Sequence, residues 1–199
     1  IQQHCRPDEC FDEVLVDALK RSLPTDNRDS FVVLHQLGEH GPSYYKRHPA
    51  AFTRFQPECL KDDAFNCSNE EIANAYDNDI LYTDHVLARV IEELKSVEKD
   101  RDVLMLYMSD HGESLGENGV YLHGAPWAFA PDAQKHVPMI LWLPATTAQN
   151  QGIDIDCMKK ALDDHHDHDH IFHTFLGLFT DRKSESYEAA HDAFALCRH

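Results

Sequence analysis

Residues 103–124, VLMLYMSDHGESLGENGVYLHG, pass from seven almost wholly apolar residues into Asp110-His111-Gly112 and reach a second His-Gly pair, His123-Gly124, twelve residues after the first. An adjacent carboxylate and imidazole form the mixed oxygen and nitrogen donor set that zinc accepts in catalytic sites, where one coordination position stays open. Neighbouring residues on an extended chain point to opposite faces, and a turn beginning at Gly112 lets both side chains reach one centre. His40-Gly41-Pro42 and His123-Gly124-Ala125-Pro126 place two more histidines on loops stiffened by Gly and Pro, as suits ligands that must hold still. Glu113 and Glu117 stand where a carboxylate could orient a ligating imidazole. Taken alone, Asp110 would cap a loop and His111 would be a structural histidine. Together with His40 and His123 they point to one metal and anion site.

Such residues need a scaffold. The apolar run before Asp110 reads as a strand buried on both faces, as in the parallel sheet of an α/β fold, where ligands collect outside the strand C-termini. Residues 31–36 (FVVLHQ) read as a second strand whose end carries His40, and residues 137–143 (VPMILWL) as a third, with Pro138 near its start and Pro144 beyond its end. Phe11, Val14, Leu15, Ala18 and Leu19 share one helical stripe, which predicts a helix over 11–21. Ser68 and Glu71 form a capping box ahead of a long amphipathic helix over 72–97. The alternation of helices and strands predicts an α/β fold with helices covering the sheet, and the length suits one domain. Residues 43–69 read as a long irregular segment and residues 145–156 as surface loop. Residues 171–179 read as a short helix capped by Asp167 or Asp169, and residues 187–197 as a closing helix.

With 18 basic and 35 acidic residues the formal charge is −17, so the field of the protein repels polyanions and excludes nucleic acid as a partner. Protonating all fifteen histidines would bring the charge to about −2. No apolar run reaches the ~20 residues that cross a bilayer. The first residues lack the basic start and apolar centre of a signal peptide, so the chain reads as a piece whose beginning lies elsewhere. Cys5 with Cys10 and Cys59 with Cys67 are close pairs among polar loop residues, which predicts disulfides and an oxidising compartment. Cys157 and Cys197 are a possible third pair. The run of residues 163–170, DDHHDHDH, reads as a solvated loop, with loose surface chelation of a transition metal as the other reading.

The residues 109–119 (SDHGESLGENG), 121–124 (YLHG), 130–132 (APD), 135–139 (KHVPM), 41–45 (GPSYY) and 76–78 (YDN) resemble the periplasmic catalytic domain of bacterial phosphoethanolamine–lipid A transferases, including the mobile colistin-resistance enzymes. The resemblance runs through essentially the whole chain. It implies an alkaline-phosphatase-like (sulfatase-like) α/β/α sandwich, of which residues 1–199 are the C-terminal part of a single periplasmic domain. It further implies a transmembrane domain elsewhere in the protein, a place at the periplasmic face of the inner membrane, and a monomer. Asp110 and His111 then correspond to zinc ligands, and His40 and His123 to catalytic residues lining the phosphoryl site. Phosphatidylethanolamine is the implied donor and lipid A the acceptor.

In that family the nucleophile is a threonine and a further zinc ligand is a glutamate, both upstream of the strand at 31–36. No threonine here stands in a matching context: Thr25, Thr53 and Thr83 fall in a turn, a loop and a helix. Tyr44, Tyr45, Lys46, Arg47 and His48 read either as a headgroup-facing patch or as a packed aromatic loop. Two other readings remain at this point: a different alkaline-phosphatase-superfamily enzyme, such as a sulfatase or phosphoglycerol transferase, and a non-catalytic zinc-binding module.

Overall fold

The structure is a computed structural model that describes residues 4–7, 9–180 and 182–199. Its helices are α1 (Glu13–Ser22), α2 (Asn69–Lys95), α3 (Ala145–Asn150), α4 (Ile155–Lys160) and α5 (Asp169–Thr180), and its strands β1 (Met105–Met108), β2 (Ser114–Leu115), β3 (Tyr121–Leu122) and β4 (Met139–Trp142). The chain divides into two compact units, Ile1–Ser96 with His111–Met139, and Val97–Asp110 with Ile140–His199.

The first unit is organised by α2. Its start is the expected capping box: the Glu71 carboxylate accepts from the Ser68 N–H at 2.7 Å and the Ser68 hydroxyl accepts from the Glu71 N–H at 3.3 Å. Ile72, Ala75, Tyr82, Val86 and Val90 form its buried stripe, and α1 packs on it with Val16 and Leu19 buried. Burying one aliphatic side chain of this kind is worth about 1.5–3 kcal/mol. The irregular segment folds back on the same helix through three short 3-10 turns and the Cys59–Cys67 disulfide. Asn78 fastens it: its Oδ1 accepts from the N–H groups of Arg54 and Phe55, both at 2.8 Å, and its Nδ2 donates to Phe55 O. A fully buried amide in mid-helix is thereby satisfied on both its faces.

Next to it, His48 and Asp79 form a buried pair with Nδ1 to Oδ1 at 2.5 Å. Burial, reinforced by the nearby Glu39 carboxyl, pushes Asp79 up to about 10 from its usual 3.8. Burial lowers His48, so a protonated Asp79 donates to a neutral ring. Folded protein therefore keeps a proton that unfolded protein releases near 3.8, and the stability linked to it is lost as pH rises toward 10. The variant Asp79→Asn, which mimics the protonated acid, should lose less melting temperature than the parent between pH 5 and pH 8.5. Paired thermal scans at the two pH values measure that difference directly.

In the second unit β1 and β4 are neighbours in a two-stranded sheet. Both are only partly covered, Ile140 being 44% exposed, against the fully buried strands expected. Residues 145–156 are not loop. Pro144 opens α3, and the buried Thr147 hydroxyl accepts from the Val103 N–H at 3.1 Å. The Asp154 carboxylate caps α4 by accepting from the Asp156 and Cys157 N–H groups. The helix expected over 187–197 is instead two 3-10 turns, because Asp192 takes the Phe194 N–H at 2.8 Å and the Tyr187 hydroxyl at 2.7 Å. Helix α5 matches the expectation, with Asp167 accepting from the Asp169 N–H at 3.1 Å.

The strand expected over 31–36 joins no ladder among the described residues, and Val33 is 73% exposed. An apolar run reports avoidance of water and not the partner that would pair with it. All three cysteine pairs are disulfides, Cys5–Cys10, Cys59–Cys67 and Cys157–Cys197.

Candidate active site

Strands β2 and β3 pair antiparallel with Ser114 opposite Leu122 and Leu115 opposite Tyr121. One step further along that register, Glu113 faces His123, and two more steps reach His111. Sequence spacing thus becomes proximity through a turn at 116–119, where Gly116 and Gly119 take the positive φ that side chains resist. Gln134, buried against this ribbon, donates from Nε2 to the Ser114 hydroxyl and to Leu122 O, both at 2.9 Å.

The Nδ1 of His123 pairs with Glu113 Oε1, and Tyr44 donates its hydroxyl to Glu113 Oε2 at 2.8 Å. Burial and the Glu113 charge hold the Tyr44 phenol well above its usual range, so it remains a donor. His40 lies on a loop fixed from three sides. Asp12 accepts from the Leu37 and Gly38 N–H groups at 3.0 and 2.9 Å, and Arg47 Nε donates to His40 O at 2.8 Å. Its Nδ1 bonds Gly41 O at 2.7 Å, and the Nδ1 of His111 bonds Gly112 O at 3.1 Å. A carbonyl oxygen only accepts, so both rings carry a proton on Nδ1, and the Glu113 carboxylate favours a proton at the same position in His123.

The three rings meet. His111 and His123 stack at 3.9 Å between centroids, His40 lies 4.9 Å from His123 and 5.9 Å from His111, and one donor nitrogen from each falls within 4.8 Å of the others. Three converging imidazoles are a donor set suited to a borderline transition ion such as zinc, and a ring nitrogen that carries a proton is suited to a phosphoryl oxygen. Asp110 directly precedes His111 and is the last residue of its segment of the second unit.

Of the two glutamates expected behind the ligands, Glu113 takes that place. Glu117 instead accepts from the Leu115 N–H at 2.8 Å inside the turn. Tyr44 and Gln134 were not anticipated as supports. A buried tyrosine hydroxyl must find a partner, which makes Tyr44 findable in principle, whereas nothing in the spacing marks Gln134. Because Glu113 fixes the orientation and basicity of His123, Glu113→Gln should weaken metal binding by about 10–100-fold. Competition against a chromogenic chelator reads that change.

The model of the sulfatase family matches residues 1–181. The chain belongs to the sulfatase family. This sulfatase-family chain is 44% identical over 197 residues to the phosphoethanolamine transferase EptA of Salmonella typhimurium, covering 98% of itself and 36% of that protein. It superposes along its whole length on an integral membrane protein, the lipooligosaccharide phosphoethanolamine transferase A (EptA) of Neisseria meningitidis, with a TM-score of 0.94 at 39% identity, covering 37% of that chain. It likewise matches the C-terminal periplasmic domain of the phosphoethanolamine transferase EptC from Campylobacter jejuni, with a TM-score of 0.83 at 39% identity over 92% of this chain and 57% of that one. The expected alkaline-phosphatase-like α/β fold and the resemblance carried by the SDHGESLGENG block are both borne out. Enzymes of this fold family generally depend on a metal. The chain spans about a third of the length of the EptA proteins it matches. Among its described residues no helix is long and apolar enough to cross a membrane.

Proposed function

We propose that residues 1–199 are the C-terminal part of the periplasmic catalytic domain of a zinc-dependent phosphoethanolamine transferase. In this reading a membrane anchor outside these residues holds the domain as a monomer at the periplasmic face of the bacterial inner membrane. Phosphoethanolamine passes from phosphatidylethanolamine to a threonine contributed by the same protein, and then to a phosphate of lipid A, the reaction that confers colistin resistance. The convergence of His40, His111 and His123, one ring nitrogen of each within 4.8 Å of the others, is the observation that carries the reading. The three disulfides agree with an oxidising compartment.

Asp110 and His111 are the zinc ligands on this side of the site. Bound zinc would supply Lewis acidity, lowering the pKa of the attacking hydroxyl and offsetting the charge on the phosphoryl oxygens. The work of the chain is positional. Glu113 and Tyr44 hold His123, and Asp12 and Arg47 hold the loop of His40, so that both rings meet a phosphoryl group without reorganising. Either imidazole can bond a phosphoryl oxygen or hand a proton to the departing alkoxide.

Mass spectrometry of lipid A from cells expressing the intact protein tests the reading. A phosphoethanolamine adduct that disappears in Asp110→Ala supports it, and an adduct of undiminished intensity in that variant defeats it. The negatively charged surface speaks against a nucleic-acid substrate.

A further inference from the structure

A second group of metal-binding side chains lies in the other unit, well apart in sequence from the residues assigned above. His173 of α5, with Glu188 and His191 from the segment that follows, brings one donor atom from each residue within 4.8 Å of the others. His170, one turn before His173 on the same helix face, stacks on His191 with centroids 5.5 Å apart and planes at 18°, and His173 meets His191 edge-on at 5.4 Å.

The scaffold here is firmer than the histidine-rich run before it. Residues 187–194 are pinned to α5 by two bonds and braced by a third within the segment. The Ala193 N–H donates to the buried Thr174 hydroxyl at 2.9 Å, the Glu188 N–H donates to His173 Nδ1 at 3.0 Å, and Tyr187 donates to Asp192 at 2.7 Å. The Cys157–Cys197 disulfide and the buried Phe194 hold the end of the segment. His170 carries the support that a metal-binding imidazole usually has. Asp167 holds the ring in place, its Oδ1 2.8 Å and its backbone N–H 3.2 Å from His170 Nδ1. His166, 4.9 Å from the His170 ring, has its Nδ1 buried without a hydrogen-bond partner. Three nitrogen or oxygen donors thus converge, with the His170 ring beside them and the His166 ring beside His170.

We propose that His173, Glu188 and His191, with His170 as a fourth ligand, form a structural binding site for a zinc-class divalent ion, separate from the His40–His111–His123 cluster. Two or more imidazoles and one carboxylate favour zinc or copper over magnesium or calcium, which take oxygen. Donor atoms up to 4.8 Å apart lie wider than the ~3.4 Å edge of a tetrahedron with zinc bonds of about 2.1 Å, so capture draws the 187–191 segment inward. The Glu188 N–H to His173 Nδ1 bond opens in that movement, a single neutral hydrogen bond exchanged for metal ligation. The site does not depend on the transferase reading.

The test is zinc stoichiometry and affinity of the intact protein, by competition with a chromogenic chelator and by elemental analysis after desalting. The variants Glu188→Gln and His191→Gln, both of partly or fully exposed side chains, should each weaken one zinc equivalent at least tenfold while leaving phosphoethanolamine transfer unchanged. His111→Ala should remove a different equivalent. Retention of that second equivalent at unchanged affinity in both Gln variants would overturn the proposal. So would its loss in His165→Ala/His168→Ala with both Gln variants binding normally, which would assign the ion to residues 163–168 instead.

Discussion

A His111→Ala variant of the intact protein is expected to transfer phosphoethanolamine to lipid A roughly 10²- to 10³-fold more slowly than the parent, the scale on which loss of one charge-stabilising group in an active site is felt. The Nδ1 of His111 is committed to Gly112 O, so Nε2 is the nitrogen through which this ring would meet a metal ion. Loss of the ring also removes the 3.9 Å stacking partner of His123, leaving that imidazole held by Glu113 and the edge-on His40 ring. His111 is half-buried and its removal opens no enclosed core, so the melting temperature should stay within a few degrees of the parent. Glu117→Gln is the internal control. That carboxylate only caps the Leu115 N–H in the turn, so its change should cost less than fivefold, although Glu113 and Glu117 lie in the same motif. Equal losses in the two variants would mean that the block matters as a fold element and not as a set of ligands. The measurement is the initial rate of adduct formation on lipid A by mass spectrometry, with metal content determined on the same samples.

What the sequence made legible follows from how local each signal is. The capping box of Ser68 and Glu71, the stripe of α1 and the Asp167 cap of α5 are decided within one helical turn, and all three are present. The proximity of His40, His111 and His123 could be suspected from the glycine that follows each histidine, but its cause, the Ser114–Leu122 register, is a pairing between residues eight apart that spacing alone does not fix. Residues 145–156 were misread because Thr147 and Asp154 look like loop residues until their oxygens are seen accepting from Val103 and from the start of α4. Residues 187–197 erred in the opposite direction, an apparent helix dissolved by Asp192. The strand at 31–36 was legible as apolar and extended, while its pairing depends on residues that are not near it in sequence. The histidines of the second cluster were visible one by one, but only the fold of 187–194 over α5 separates His173 and His191 from the histidine run before them.

Gly112→Ala should lower the melting temperature of the protein by about 3–10 °C, as overpacking of about 1–3 kcal/mol does in a chain of this size. A Cβ at this position would lie 2.0 Å from Ala133 O and 3.0 Å from its carbonyl carbon, and both are backbone atoms that cannot swing aside as a side chain would. The same glycine donates its N–H to Gln134 O at 3.1 Å, and Gln134 in turn ties Ser114 to Leu122. The added methyl group therefore pushes apart the contact that holds the two ends of the β2–β3 ribbon, where His111 and His123 are carried. Metal affinity should fall together with stability, although alanine touches no ligand. Gly177→Ala in α5 separates this effect from ordinary crowding. Its Cβ would also come too close to other atoms, 2.8 Å from Asp192 Oδ2 and 2.9 Å from the Tyr187 ring, but those are side-chain ends that can yield, so a smaller fall in melting temperature is expected and no change at the His40–His111–His123 cluster. Calorimetry of the two variants, with chelator competition on each, decides the matter. A Gly112→Ala protein that melts with the parent and binds metal as tightly would show that the 111–113 turn has room to spare, and that its glycine serves some purpose other than close approach.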